Sequence, residues 1–454
     1  MRLFMVFIVL ILVATVVALA LRPGPVPLAI RAPVVIANLP PLPPLVASAT
    51  GVVLAWSAHA RAGLEPCGCV AGMHGGLVRR AALLTRVPTT RLLAVELGGW
   101  SGGSADYQVV KTQHYLAALH DAGIAAIALG AAELRLGAPT LARLVGSSSV
   151  PVLAANVVGV PVQPVLRLER SGQTFAVTAV VPAEASGDGL TVGDPAEALL
   201  RLLPTLHGVP LIVLADLDEA ALSALARSVP GLAAVVGGNV QQPSVKPFSI
   251  GACQVVYVAN EGKTIGWWPL GSSNVAFELV RDAIPDHPLI RDRIRAYQEA
   301  LGTMNLSIDE RIHGLTSLST GGDADLRFVG DAACTACHAG AAAVHGPSRH
   351  AHALASLERK GYARDPECLR CHVTGLGLPD GWRRTAPVAE LAHVSCESCH
   401  GRGSRHVSER AAGRPGSGSL VPVTPATCLT CHDKENSPAF SYDTYWTRIR
   451  HGQK

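Results

Sequence analysis

Cys396-Glu397-Ser398-Cys399-His400 is one of four copies of a pattern, Cys-x-x-Cys-His, that decides how the last third of the chain is built. The other copies are Cys334-Thr335-Ala336-Cys337-His338, Cys368-Leu369-Arg370-Cys371-His372 and Cys428-Leu429-Thr430-Cys431-His432. Two intervening residues let one tight turn present both sulfurs to one edge of a macrocycle. The thiols then add to the vinyl groups of a haem, and the adjacent imidazole comes beneath the iron. Eight of the eleven cysteines fall in these motifs. Structural zinc also uses paired Cys-x-x-Cys, but it does not require His directly after every second Cys. The pattern therefore implies four covalent haems c, with His338, His372, His400 and His432 as proximal ligands.

Ten of the seventeen histidines lie in residues 326–454. Beyond the four in the motifs, His345, His350, His352, His393, His406 and His451 are on offer as sixth ligands, more than four six-coordinate irons require. Secondary structure should be sparse and irregular here apart from short helices such as 350–360, because stacked macrocycles take the place of a side-chain core.

The phrases Ser348-Arg349-His350-Ala351-His352-Ala353, Cys371-His372-Val373-Thr374-Gly375, Cys396-Glu397-Ser398-Cys399-His400-Gly401-Arg402-Gly403 and Tyr445-Trp446-Thr447-Arg448-Ile449-Arg450-His451-Gly452 resemble the tetrahaem cytochrome c-554 family. By position, the resemblance implies that His406 ligates the first haem (His338), His350 the third (His400) and His451 the fourth (His432). The second haem of that family can be five-coordinate. The iron on His372 is then either open to a small molecule or closed by His352, with His393 and His345 as further candidates.

Upstream, residues 50–273 alternate apolar runs of strand length with amphipathic stretches. Strands are expected at 51–56, 91–97, 124–130, 150–158, 174–182, 209–216, 232–238 and 253–260. Helices are expected at 76–87, 105–122, 138–144, 195–206 and 219–229. Continuous runs such as Val209–Leu214 read as strands buried on both faces, and the alternation predicts an α/β layered domain.

The landmarks Ser57-Ala58-His59, Gly75-Gly76-Leu77-Val78-Arg79-Arg80-Ala81, Ala128-Leu129-Gly130 before Glu133, Pro151-Val152-Leu153-Ala154-Ala155-Asn156-Val157, Asp194-Pro195 and Val236-Gly237-Gly238-Asn239 resemble the 5′-nucleotidase branch of the calcineurin-like metallophosphoesterases. The resemblance implies a metallophosphoesterase-like sandwich. That family's chemistry needs two metal ions on carboxylate and imidazole ligands. Ser57, Gly99, Ala131-Ala132, Asp216, Asn239 and Gln241 stand where the ligands would be, and only His59 survives. One imidazole does not hold a dinuclear centre, so a degenerate domain with no phosphatase activity is expected.

Glu65-Pro66-Cys67-Gly68-Cys69, followed by His74, is foreign to that pattern. Cys67 and Cys69, with His74 or Glu65, suit an additional metal or redox site. The alternatives are a Cys-x-Cys disulfide or a bridge to Cys253. His114, His120 and His207 read as surface or packing residues. The charged face Arg291, Asp292, Arg293, Arg295 and Glu299 of a helix over 288–301 reads as solvated.

At the N-terminus an uncharged apolar run, Leu3–Leu21, is long enough to approach a membrane span, and Ala18-Leu19-Ala20 would also serve as a cleavage site. Residues 1–21 are thus a signal anchor or signal peptide, 22–49 a Pro-rich linker, 274–325 a helix and linker, and 326–454 the tetrahaem domain. Covalent haem attachment takes place outside the cytoplasm in bacteria. An exported protein on the periplasmic or extracytoplasmic face of the inner membrane, anchored by residues 3–21, is expected. A formal charge of +4 points to no nucleic-acid partner. The expected role is electron transfer between donor and acceptor proteins. The alternatives are an oxidoreductase acting on a small nitrogen-oxide-type molecule at an open second haem, and a residual metal-dependent hydrolase.

Overall fold

The computed structural model describes residues 34–66, 73–240, 242–244, 246–258, 261–304, 325–378, 380–416, 420–434 and 436–452. The expected anchor at 3–21, Cys67, Cys69 and Gln241 lie outside the described residues. The chain divides into two compact units, 1–35 and 36–454, and the second carries the sheets and helices. Among the described residues no helix is long and apolar enough to cross a membrane.

Two six-stranded sheets stack face to face. In the first, β1 (Val53–Ser57), β2 (Leu92–Glu96), β3 (Ala126–Ala128) and β4 (Val152–Leu153) run parallel, and β13 (Thr264–Pro269) and β14 (Ala276–Leu279) close the other edge antiparallel. The second has the order β11 (Phe248–Ile250), β12 (Cys253–Tyr257), β10 (Ala234–Gly237), β9 (Leu211–Ala215), β7 (Gln173–Val180), β6 (Leu166–Arg170). A separate antiparallel pair joins β5 (Val157–Val158) to β8 (Thr191–Val192). Alternation within each strand builds the layers. Leu54, Trp56, Leu93 and Val95 meet Ile212, Leu214, Val236 and Trp268 between the sheets. Val53, Ala55, Leu92 and Ala94 turn the other way, onto helices α1 (Leu77–Leu84), α2 (Asp106–Asp121) and α3 (Gly137–Ser147). Helices α4 (Pro195–Leu202) and α5 (Glu219–Ser228) cover the outer face of the second sheet.

The α/β domain extends past residue 273. β14 pairs with β13, and α6 (Pro288–Thr303) buries Ile290, Ile294, Tyr297 and Leu301 in the same core as α2. The charged face of α6 is not simply solvated. Arg293 Nε donates to Asp121 Oδ2 at 2.6 Å, and Arg291 pairs with Glu65 and Asp286. Only Arg295 and Asp292 form the exposed i,i+3 pair that a solvated face would show.

The C-terminal region is a set of short helices. A 3₁₀ turn at His350–His352 leads into Ala353–Lys360, and the second, third and fourth motifs begin within helices Pro366–His372, Cys396–His400 and Pro425–Leu429. Its apolar core is small: Leu354, Leu357, Leu369, Val373, Leu376, Trp382 and Leu391.

Beneath the first sheet lies a buried ionic cluster. Arg80 Nη2 is 2.8 Å from Glu96 Oε2 and donates to Tyr115 Oη at 2.6 Å, while Tyr115 donates to Glu96 Oε1 at 3.0 Å. Arg80→Met should strand the Glu96 carboxylate and lower stability by about 3–5 kcal/mol. Arg80→Met/Glu96→Leu, which removes both charges, should recover most of that loss in urea unfolding.

Candidate functional site

The haem motifs sit where short helices end or begin, and the local hydrogen bonds fix which ring nitrogen of each histidine is available. His372 Nδ1 lies 2.8 Å from the Ala353 carbonyl, His406 Nδ1 3.1 Å from that of Gly416 and His451 Nδ1 2.9 Å from that of Ile449. A carbonyl only accepts, so Nδ1 carries the proton in each case and Nε2 keeps the lone pair a metal needs. His432 Nδ1 is similarly placed 3.0 Å from Ser437 Oγ.

Three motif histidines face a second ring: His338 faces His406 at 6.2 Å between centroids, His432 faces His350 at 6.1 Å, and His400 faces His451 at 5.9 Å. Two imidazoles on opposite sides of one metal, with bonds of about 2 Å, have ring centres roughly 6 Å apart. The residues therefore fit six-coordinate iron. Burial pushes the imidazoles of His372, His400 and His432 below the usual histidine range, and that of His350 down to about 4 with help from neighbouring imidazoles. Neutral imidazole is the ligating form.

The pairing differs from the positional expectation. His350 meets His432 rather than His400, and His451 meets His400 rather than His432. The exchange follows from the chain path. His400 lies beside Val421, whose amide donates to its carbonyl, and the C-terminal helix Tyr442–Ile449 delivers His451 there. His432 is flanked instead by Phe440 and Tyr445 and looks onto the 3₁₀ turn bearing His350.

His345 and His393 behave differently. They face each other at 5.9 Å, but His393 Nε2 is 2.8 Å from Asp331 Oδ2 and His345 Nε2 is 2.8 Å from the Val394 carbonyl. Both Nε2 atoms therefore carry protons, and neither is placed to ligate through them. His352 is exposed on its 3₁₀ turn and makes no ring contact among the described residues. Asp331, which also accepts from the Cys396 amide at 2.9 Å, ties the first motif to the third and carries no local motif by which sequence could single it out.

Cys396 lowers the pKa of the Cys334 thiol, while Cys431 and burial push that of Cys371 up. Cys253 is buried in β12, its thiol pushed up to about 11 by burial.

At the carboxyl ends of the first-sheet strands, where an α/β sheet places its chemistry, a different arrangement is found. His59, at φ 52°, lies with Nε2 3.5 Å from Asp216 Oδ1. Asp216 accepts from the Ala131 amide at 2.7 Å, and buried Glu133 accepts from the amides of Ser101, Gly99 and Gly130 at 2.8, 3.0 and 3.1 Å. Gly99, where the family has its bridging Asp, sits at φ 78°, and a Cβ there would come 2.5 Å from His59 Nδ1. The imidazole thus fills the ground the bridging carboxylate would need. Ser57 Oγ donates to the Thr264 carbonyl at 3.2 Å, and Asn239 is exposed. Among the described residues no three His, Cys, Asp or Glu side chains are grouped to hold a metal ion.

Residues 333–401 match the family model described as cytochrome c554 and c-prime. Over 95 residues the chain is 35% identical to cytochrome c-554 of Nitrosomonas europaea, an alignment covering 18% of this chain and 40% of that protein. The chain therefore spans less than half the length of that relative. Among solved structures it is similar to a 5′-nucleotidase precursor from Thermus thermophilus (20% identity, TM-score 0.49, 55% of this chain and 59% of that one). It is also similar to the calcineurin-like phosphoesterase YfkN from Bacillus subtilis (16% identity, TM-score 0.45, 55% and 97%). The cytochrome family implies covalent haem c and multihaem electron transfer.

The neighbouring Asp216 carboxylate holds the His59 pKa above its ordinary value, against the opposing pull of burial. A raised folded-state pKa stabilises the fold at pH below the unfolded histidine value, and the effect is lost as pH rises through the folded value. Asp216→Asn, which keeps an acceptor for Ala131, should therefore be less stable than the wild type at pH 6 in urea unfolding, and the difference between the two midpoints should shrink by pH 8.

Proposed function

We propose that the chain is an exported, membrane-anchored electron-transfer protein. Its C-terminal domain relays electrons through four covalent haems c, and its α/β domain no longer hydrolyses phosphoesters. The observation that carries this reading is the set of facing imidazole pairs, His338–His406, His432–His350 and His400–His451. When bound, haem c supplies a one-electron couple whose potential follows its axial ligands and surroundings.

The polypeptide's part is to hold the ligating nitrogens in place. Carbonyls on Nδ1 fix the tautomer of His372, His406 and His451, and burial disfavours the charged form of His350, His372, His400 and His432. An iron held by both rings of the His338–His406, His432–His350 or His400–His451 pair would have no position left for a substrate, which favours passing electrons over binding a molecule. Donor and acceptor proteins, rather than nucleic acid, are its partners. Export follows from covalent haem attachment, and the apolar run at 3–21 supplies the anchor.

Loss of hydrolysis follows from the side chains at the old ligand positions. Ser57, Gly99, Ala131 and Ala132 offer neither carboxylate nor imidazole, and the surviving His59 is engaged with Asp216. In a phosphodiester assay with added manganese, the rate should equal that of buffer.

Pyridine haemochrome analysis should give four haems per chain; by electron paramagnetic resonance of the oxidised protein the haems on His338, His400 and His432 should be low-spin and that on His372, which faces no second ring among the described residues, high-spin. His406→Ala and His451→Ala should each convert one haem to high spin. An unchanged spectrum in either variant would falsify that ligand assignment.

A further inference from the structure

Helix Pro366–His372, which carries the second haem motif, is seated against the α/β domain through the residues that lead into it. Tyr362 Oη donates to Glu65 Oε1 at 2.6 Å and accepts from Arg291 Nη1 at 3.1 Å. Asp365 caps the helix, its Oδ1 accepting from the Glu367 amide at 3.0 Å and its Oδ2 from Gln298 Nε2 of α6 at 3.2 Å. Glu367, the residue before Cys368, pairs with Lys111 of α2. Alongside, Arg384 donates to the carbonyls of Leu301 and Met304 at the end of α6, at 2.7 and 2.5 Å.

Asp365 is 5% exposed and the Lys111 side chain 11%, while that of Glu367 is half-buried at 31%. Burial raises the Asp365 carboxyl while Lys111 opposes that shift. Tyr107 and Tyr297, both from the α/β domain, line the same space, and Arg370, one turn along the motif helix, also faces Glu367. In such a setting charge–charge interactions are screened far less than on an open surface.

We propose that Lys111 of the α/β domain is a positioning and tuning residue for the second haem, raising its midpoint potential by compensating Glu367 and Asp365. The inference rests on the relay reading above, because it requires haem at Cys368, Cys371 and His372. Reduction adds one electron to the haem. A nearby cation stabilises the reduced state and raises the potential; an uncompensated carboxylate lowers it. The α/β domain is thereby the low-dielectric wall and the counter-charge of one end of the relay.

The test uses the full-length haem-loaded protein with Lys111→Met, Glu367→Gln and the double variant. Haem content is measured first by pyridine haemochrome; fewer than four haems in the wild type would sink the relay reading itself. With four haems present, potentiometric titration followed in the visible spectrum resolves the midpoints. Lys111→Met should shift one of the four steps downward, Glu367→Gln should shift the same step upward, and the double variant should lie between them. In a Cys368→Ala/Cys371→Ala background, which holds three haems, the Lys111 substitution should move no remaining step. The proposal is overturned if both single variants titrate like wild type. It is equally overturned if both move in the same direction, as loosening of the seam would produce, or if all four steps move together.

Discussion

A histidine ring can ligate a metal through a nitrogen only when the proton sits on the other one, and the haem domain is arranged around that constraint. The Ala353, Gly416 and Ile449 carbonyls each accept a hydrogen bond from the Nδ1–H of a histidine and so leave the lone pair on its Nε2. With a small apolar cluster, the domain relies on buried carboxylates to bring its motif turns together. Glu397 accepts from the amides of Gly403, Gly330 and Val329 at 2.7, 2.9 and 3.1 Å, and Asp331 holds Cys396 and His393. Charge-assisted bonds to backbone amides are among the stronger hydrogen bonds available. They fix loop positions that side-chain packing does not reach.

The α/β domain separates the same two tasks. Its layers come from alternation in strands buried on both faces, and none of that packing depends on what the strand-end loops carry. The loops could therefore change while the fold stayed. A group of carboxylates without metal would be mutually repulsive and costly to bury. Glu133 answers this with three amide donors, and Asp216 with an amide and His59. The His59–Asp216 pair thus sets an imidazole beside a buried carboxylate at the strand ends.

Strands such as β1 and β9 were legible in sequence because continuous apolar runs flanked by turns admit few other readings. The edge strands β6 and β14 were not. β6, with exposed and half-buried residues alternating along Leu166–Arg170, and β14, half-buried throughout, carry too few apolar residues to announce themselves. Cys-x-x-Cys-His is local, so the proximal histidines are legible. The partner of each is set by a chain path over tens of residues, which explains why His350 and His451 exchanged places against the positional expectation. Lys111 was illegible for another reason. On an amphipathic helix a lone lysine reads as solvated, and only the seam shows what it faces. The Asp365-Pro366 pair did carry a signal, an N-cap residue followed by Pro at the first helical position.

Helix α6 shows why the two domains belong together. One face buries Ile290, Ile294, Tyr297 and Leu301 in the first-sheet core, while Arg291 and Gln298 turn to Tyr362 and Asp365. Tyr362 itself packs against both the α/β core and the core of the haem domain. A flexible joint would leave the lead-in to the second motif, including a nearly buried Asp365, facing water. Docked, that carboxylate is held by α6, and its neighbour Glu367 finds a cation on α2. Contacts of this kind fix the outer surface of the α/β domain independently of what its strand ends carry.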